Sequence, residues 1–263
     1  MYIDSDLYLQ HINDNEQIEV LKKVIDKLNI SLRNYTVEYT DFLDPYQRRL
    51  AESVLNRIDD IDYRYEGGIE EAERKSIVIF PSYMDYDSIE NPIKAVKVSG
   101  NFKFNRSSHS DYLGSVMGLG IKREKIGDIF SFEDRAYIAV SGDILDYVLA
   151  NLQKIGRETV KTEEVPFEEI EYEKPETEEK IITVASERLD NFVSEIYNLS
   201  RTKASSLIEG KRVKVDFQPV FNKSRSVEEG SLISVRGHGR SVVCSRLGES
   251  RKGKIRYRVE RYI

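Results

Sequence analysis

The chain has 263 residues, 40% of them hydrophobic, and a net charge of −6. That length accommodates two or three domains with their own cores, while a lone Cys244 and the scattered His11, His109 and His238 argue against a disulfide framework or a metal-ligand set. No apolar run approaches the roughly 18 to 20 residues of a membrane span and the start of the chain is acidic, so a soluble, cytoplasmic protein without cofactor or metal is expected.

Residues 1–75 read as a helical domain. In EQIEVLKKVIDKL, Ile18, Leu21, Ile25 and Leu28 form one apolar stripe. Asp44 stands where an N-cap belongs, with Pro45 at the first helical position, and Leu50, Val54, Ile58 and Ile61 continue the buried face. Gly67 and Gly68 break the pattern before a short acidic helix expected around Glu70 to Lys75.

From Ser76 the pattern changes. SIVIFPSY and AVKVSGNFKF read as strands, SDYLGSVMGLGI as a helix, IGDIFSF and RAYIAVS as a strand pair, DILDYVLANLQKI as a helix, and RETVKTEEV as a last strand. A βαββαβ order predicts a ferredoxin-like sandwich over 76–165, the arrangement of RRM RNA-binding domains. RAYIAVS supplies Tyr137 alone, so the aromatic signature for base stacking is missing. The loop GLGIKREKIGD lacks the preceding strand and the complete glycine spacing of a dinucleotide turn. Its Lys122, Arg123 and Lys125 form a basic tip beside glycines, a candidate secondary RNA contact that a solvated turn explains equally well. His109 and Asp111 fit a helix-start cap better than an acid/base pair.

Residues 166–180 carry two prolines and a run of acids and read as an extended linker. Residues 181–263 hold 17 Lys and Arg against 9 Asp and Glu, a net +8, on an otherwise acidic chain. That asymmetry is the footprint of a polyanion-binding module, and the segment is expected to fold alone and keep most RNA affinity. Leu189, Phe192, Val193 and Ile196 predict one helix; Ser200 caps a second, with Ala204, Leu207 and Ile208 buried and Gly210 as its stop. Val213 and Val215 then alternate as a strand, and Val227, Ile233 and Val235 supply returning strands. Arg201 and Lys203 occupy a first helical turn, where the macrodipole disfavours cations, so stability does not account for them and a bound phosphate does. Arg188, Lys211, Lys214, Arg236 and Arg240 extend that surface. The last residues form a hairpin with Arg251, Lys252 and Lys254 at its tip, further candidates for RNA contact, and with Arg256, Arg258 and Arg261 recurring along its second strand.

The blocks RLDNFV, SRTKASSLIEGKRVKVD and VEEGSLISVRGHGR, in this order and at suitable spacing, resemble the S-four domain, a small RNA-binding module. The family usually has Asn where this chain has Asp216. The resemblance implies that Arg188 and Arg201 are RNA-contacting arginines. Together with FLDPYQ, GGIEEAERK, HSDYLGSVMGLGIKREKIGDI and the closing RVERYI, the chain resembles the bacterial YlmH family over essentially its whole length. That implies an RNA-binding protein encoded beside division genes and associated with the large ribosomal subunit. The resemblance also implies a role like that of a small S-four protein of similar type, which helps to hold peptidyl-tRNA in the P site during ribosome quality control.

The expected protein is thus α+β, with a monomer favoured and the oligomeric state left open: a helical N-terminal domain, a ferredoxin-like (RRM-like) centre, and a C-terminal S-four-type domain with a β-hairpin extension. Its expected role is non-catalytic binding of structured rRNA or tRNA. Pseudouridine synthases also carry S-four domains, but their catalytic Asp sits in a separate domain for which little chain remains. Asp190 in ERLDNF lies inside the S-four helix and is expected to cap it or to orient Arg188. A division-associated scaffold, binding protein through the acidic N-terminal half, is the third reading.

Overall fold

The computed structural model describes every residue except Met1, His11, Asn13, 103–106, Glu171, Arg251 and Lys252. Arg251, Lys252 and the end of the strand expected at AVKVSGNFKF therefore lie outside the described residues. Two compact units result, residues 1–172 and 173–263.

The first unit opens with helices α1 (Ser5–Tyr8), α2 (Asn15–Asn34) and α3 (Pro45–Leu55). Asp14 caps α2 by accepting the Glu16 N–H at 3.0 Å, and Leu21, Val24, Ile25 and Leu28 are its buried face. Asp44 caps α3 with Pro45 in the first turn, as the sequence predicts, and Gln47 returns the bond to complete a reciprocal capping box. The rest of residues 1–75 is less helical than expected. Ile61 belongs to strand β2 (Ile61–Glu66), not to the end of a helix, because IDYRYE alternates with period two and is rich in β-formers. It pairs antiparallel with β3 (Ser76–Pro81), buried along its whole length, whose other edge pairs with β1 (Glu38–Tyr39). SIVIFP is thus the middle strand of a three-stranded sheet on α2 and not the first strand of the central sandwich. The acidic helix expected at 70–75 is a turn. Asp128 accepts the N–H groups of Glu73 (2.5 Å) and Arg74 (3.3 Å), while Arg74 Nη2 donates to the Phe42 carbonyl at 2.7 Å; these bonds satisfy the backbone without helical ones. Gly68 takes φ +91° in this turn, with Phe167 packed where a Cβ would stand.

The sandwich is built from β4 (Ile93–Gly100), α4 (His109–Gly118), β5 (Ile126–Ser131), β6 (Arg135–Ser141), α5 (Leu145–Asn151), β7 (Lys154–Ile155) and β8 (Glu158–Val165). The all-antiparallel order β5-β6-β4-β8-β7 is the expected ferredoxin-like topology with one short added edge strand. Helices α4 and α5 cover one face through Tyr112, Val116, Leu145 and Val148. Ser108 caps α4 and Asp111 returns the bond to its N–H at 2.8 Å, so the histidine-aspartate pair is part of a helix start. Ile170 and Phe167 pack on the other face against Ala95, Tyr137 and Val165. The expected linker is therefore mostly structure: its first part folds onto this sheet.

Its last part is strand β9 (Thr177–Val184) of the second unit. There α6 (Leu189–Ile196) and α7 (Arg201–Glu209) pack on a six-stranded sheet. The remaining strands are β10 (Val213–Val215), β11 (Gln218–Pro219), β12 (Leu232–Val235), β13 (Gly239–Glu249) and β14 (Ile255–Tyr262), in the order β11-β10-β12-β13-β14-β9. β9 runs along the whole of β14, setting Glu178 opposite Arg261 and bringing Glu179 to 4.0 Å from Arg258. The acids that suggested a solvated linker answer the basic strand. Arg261 does not share a face with Arg256 and Arg258: it turns inward beside the Tyr197 ring and donates to the His238 carbonyl. Asp216 adopts the left-handed conformation (φ 51°) that Asn often takes in such turns, so the departure from the family pattern leaves the turn intact.

Candidate nucleic-acid interface

Arg188 is the residue before α6. The first N–H groups of that helix, on Leu189 and Asp190, donate to the carbonyls of Arg225 (2.9 Å) and Lys223 (3.2 Å), so a ligand there meets the guanidinium and not the helix end. Its Nε and Nη2 grip both oxygens of Asp190 at 3.0 and 2.8 Å. Asp190 is 8% exposed and also accepts the Asn191 N–H at 3.0 Å. Its carboxyl is held below the ordinary carboxylate value, chiefly by the hydrogen bonds from Arg188 and in smaller part by the charge of Arg201. One buried carboxylate thus orients Arg188, as the sequence suggests, and also lies in the field of Arg201.

Ser200 caps α7 by accepting the Lys203 N–H at 3.2 Å. The first turn, Arg201–Thr202–Lys203, is exposed and holds no acid. Cations at this end oppose the helix dipole by a few tenths of a kcal/mol each, and an anion reverses that balance.

The other candidates lie on or beside the sheet. Lys214, Ser234 and Arg240 are in register across β10, β12 and β13, two strand spacings of about 4.8 Å each. Arg236 follows β12 and its N–H donates to the Arg212 carbonyl at 2.9 Å. Lys211 has φ 56° and stands 5.6 Å from the Phe221 ring. Arg212, exposed between Lys211 and β10, is a further cation beside these candidates, signalled in the sequence by the three cations of KRVK. Lys254 is exposed beside the hairpin tip.

The central loop is different. Arg123 donates to the carbonyls of Ile126 and Gly127, and burial together with the charge of Arg74 pushes its pKa down to about 10. Lys125 is held by Asp143 at 2.7 Å and Asp41 at 2.9 Å, and the Glu124 carbonyl accepts the Phe42 N–H. These residues fasten the turn to the N-terminal segment; Lys122, 4.0 Å from Glu124, is the exposed cation of the three. Tyr137 is 4% exposed, edge-on to Phe132 at 5.9 Å, on the face that Phe167 and Ile170 cover. Base stacking of the RRM kind has no open platform there.

Among the described residues no helix is long and apolar enough to cross a membrane, and no cluster of His, Cys, Asp or Glu is arranged to hold a metal.

The Arg188–Asp190 pair also makes a pH prediction. A depressed folded pKa contributes stability above the unfolded value near 4 and loses it as pH falls through the folded pKa. Asp190→Asn should therefore lose melting temperature relative to the native chain at pH 6, with the gap closing as the pH falls below about 4. Parallel melting curves over that range would contradict this role.

Residues 16–84 match the family model of the YlmH N-terminal domain, 85–169 that of the YlmH RNA-binding domain, and 187–233 the S4 domain. Over 257 residues the chain is 32% identical to the ribosome-associated protein quality control protein P2 of Bacillus subtilis, covering 98% of this chain and 99% of that protein. A solved structure of the cell division protein ylmH from Streptococcus pneumoniae is similar with a TM-score of 0.51 and 28% identity, over 60% of this chain and 96% of that one. Domain order, fold and full-length similarity agree: the chain belongs to the YlmH family.

Proposed function

We propose that this protein is a non-catalytic RNA-binding factor of the large ribosomal subunit, gripping structured rRNA or tRNA through its C-terminal unit and serving ribosome quality control as its Bacillus relative is named to do. The observation that carries the reading is the Arg188–Asp190–Arg201 arrangement, in which a buried carboxylate fixes one guanidinium beside an acid-free helix start. Phosphates are the ligands such a surface suits, because charged hydrogen bonds and the helix dipole act on one anion. A role in stabilising peptidyl-tRNA in the P site fits the same chemistry. Asp190 is engaged with Arg188 and the Asn191 N–H, which suits a positioning residue better than a nucleophile or base.

Affinity purification from cells tests this against the other two readings. Large-subunit rRNA and tRNA in the purified material are expected. A nucleotide modified by the pure protein, or division proteins without RNA, would overturn the proposal.

A further inference from the structure

We propose that the turn between β10 and β11 is a base-stacking site, where an unpaired nucleotide of the bound RNA lays its base on the Phe217 ring and its phosphate against Arg240. The proposal rests on the RNA-binding reading of the C-terminal unit and names how that unit takes a base as well as phosphates.

The turn is a two-residue connection, Val215 and Gln218 being the last paired residues. Asp216 and Phe217 both have positive φ, 51° and 67°, the pattern of a type I′ turn whose second position favours glycine. Asp216 suits its place and accepts the Leu232 N–H at 2.8 Å. Phe217 does not, because a bulky side chain at positive φ is strained, and an observed outlier of this kind points toward function when packing does not explain it. Packing does not: the core of this unit is made without Phe217, whose ring is only partly buried. The Arg240 guanidinium stands 5.7 Å from its centroid, in the row that also contains Lys214.

Ring and cation recur at the other end of the hairpin. Phe221 is 57% exposed, with Lys211 Nζ 5.6 Å from its centroid. An aromatic face beside a positive charge matches a nucleotide, which offers a π-face and a phosphate, and two such pairs on one hairpin match a polynucleotide.

The test compares full-length Phe217→Gly and Phe217→Tyr with the native chain, measuring melting temperature and affinity for purified large ribosomal subunits. Glycine relieves the backbone, so its melting temperature should be unchanged or raised while affinity falls about tenfold, the scale of one lost base stack. Tyrosine should keep the native affinity. Unchanged affinity in Phe217→Gly, a marked fall in its melting temperature, or equally weak binding by Phe217→Tyr would each overturn the site. If Arg188→Ala weakens binding and Phe217→Gly does not, the stacking site alone fails; if the native chain does not bind the subunits, the RNA-binding reading fails with it.

Discussion

Replacing both Arg188 and Arg201 by alanine should lower affinity for large ribosomal subunits or tRNA about a hundredfold at low salt. A well-formed charged hydrogen bond contributes about 1.5 to 3 kcal/mol, tenfold or more for each arginine. The slope of log affinity against log salt should fall by roughly one for each phosphate contact removed. The two single variants should differ in stability. Arg188→Ala leaves Asp190, 8% exposed, without the group that takes both its oxygens, so some loss of melting temperature accompanies the loss of binding. Arg201→Ala removes a cation from the unfavourable end of a helix dipole and should melt at the native temperature or slightly above it. Arg201 is therefore the cleaner probe. Unchanged affinity in the double variant at both high and low salt would move the contact elsewhere, to Lys254 or Lys122.

The second large effect concerns where the C-terminal unit begins. A fragment starting at Glu173 should fold and bind RNA, whereas one starting at Ala185 should not fold stably. The strand between those points, β9, pairs with β14 from Thr177 to Val184 and buries Ile182 and Val184 at 3% and 1% exposure. Lys180 closes the end of α6, its ammonium donating to the carbonyls of Glu195 and Ile196 and to Asn198 Oδ1 at 2.8, 3.2 and 3.0 Å. Removing the strand exposes the β14 edge, uncaps the helix and strips two core residues, each costing about 2 to 5 kcal/mol when truncated. Such losses are comparable to the whole stability of a small domain. Circular dichroism melts of the two fragments check this; equal cooperative melting would contradict it.

The helix pair of the C-terminal unit was legible because Leu189, Phe192, Val193 and Ile196 hold one face and Ser200 and Gly210 punctuate the second helix. The ferredoxin-like order was legible from alternating runs and helix-period apolar residues. The boundaries were not. Thr177–Lys180 reads as solvated because its acids have no local partner, and what fixes this stretch is pairing with β14, where Glu179 meets Arg258, far along the chain. Ser76–Pro81 pairs in the N-terminal sheet and not in the expected one, because an all-apolar strand carries no information about its neighbours. In the candidate site, Arg188 and Arg201 are legible from their positions in the helix starts and Asp190 from its place beside Arg188; the structure adds that this carboxylate is buried and feels the charge of Arg201. Arg123 and Lys125 resembled a phosphate-binding tip because composition cannot distinguish a cation facing water from one tied to Asp41, Asp143 or a carbonyl.

The central claim is that residues 173–263 hold the protein on ribosomal or transfer RNA. Crosslinking of bound RNA in cells, followed by sequencing, tests it most directly when the full chain is compared with a chain lacking those residues. Crosslinks concentrated in large-subunit rRNA and tRNA, and lost with the C-terminal unit, are the expected result; crosslinks that persist without it, or that fall on neither RNA, would contradict the account.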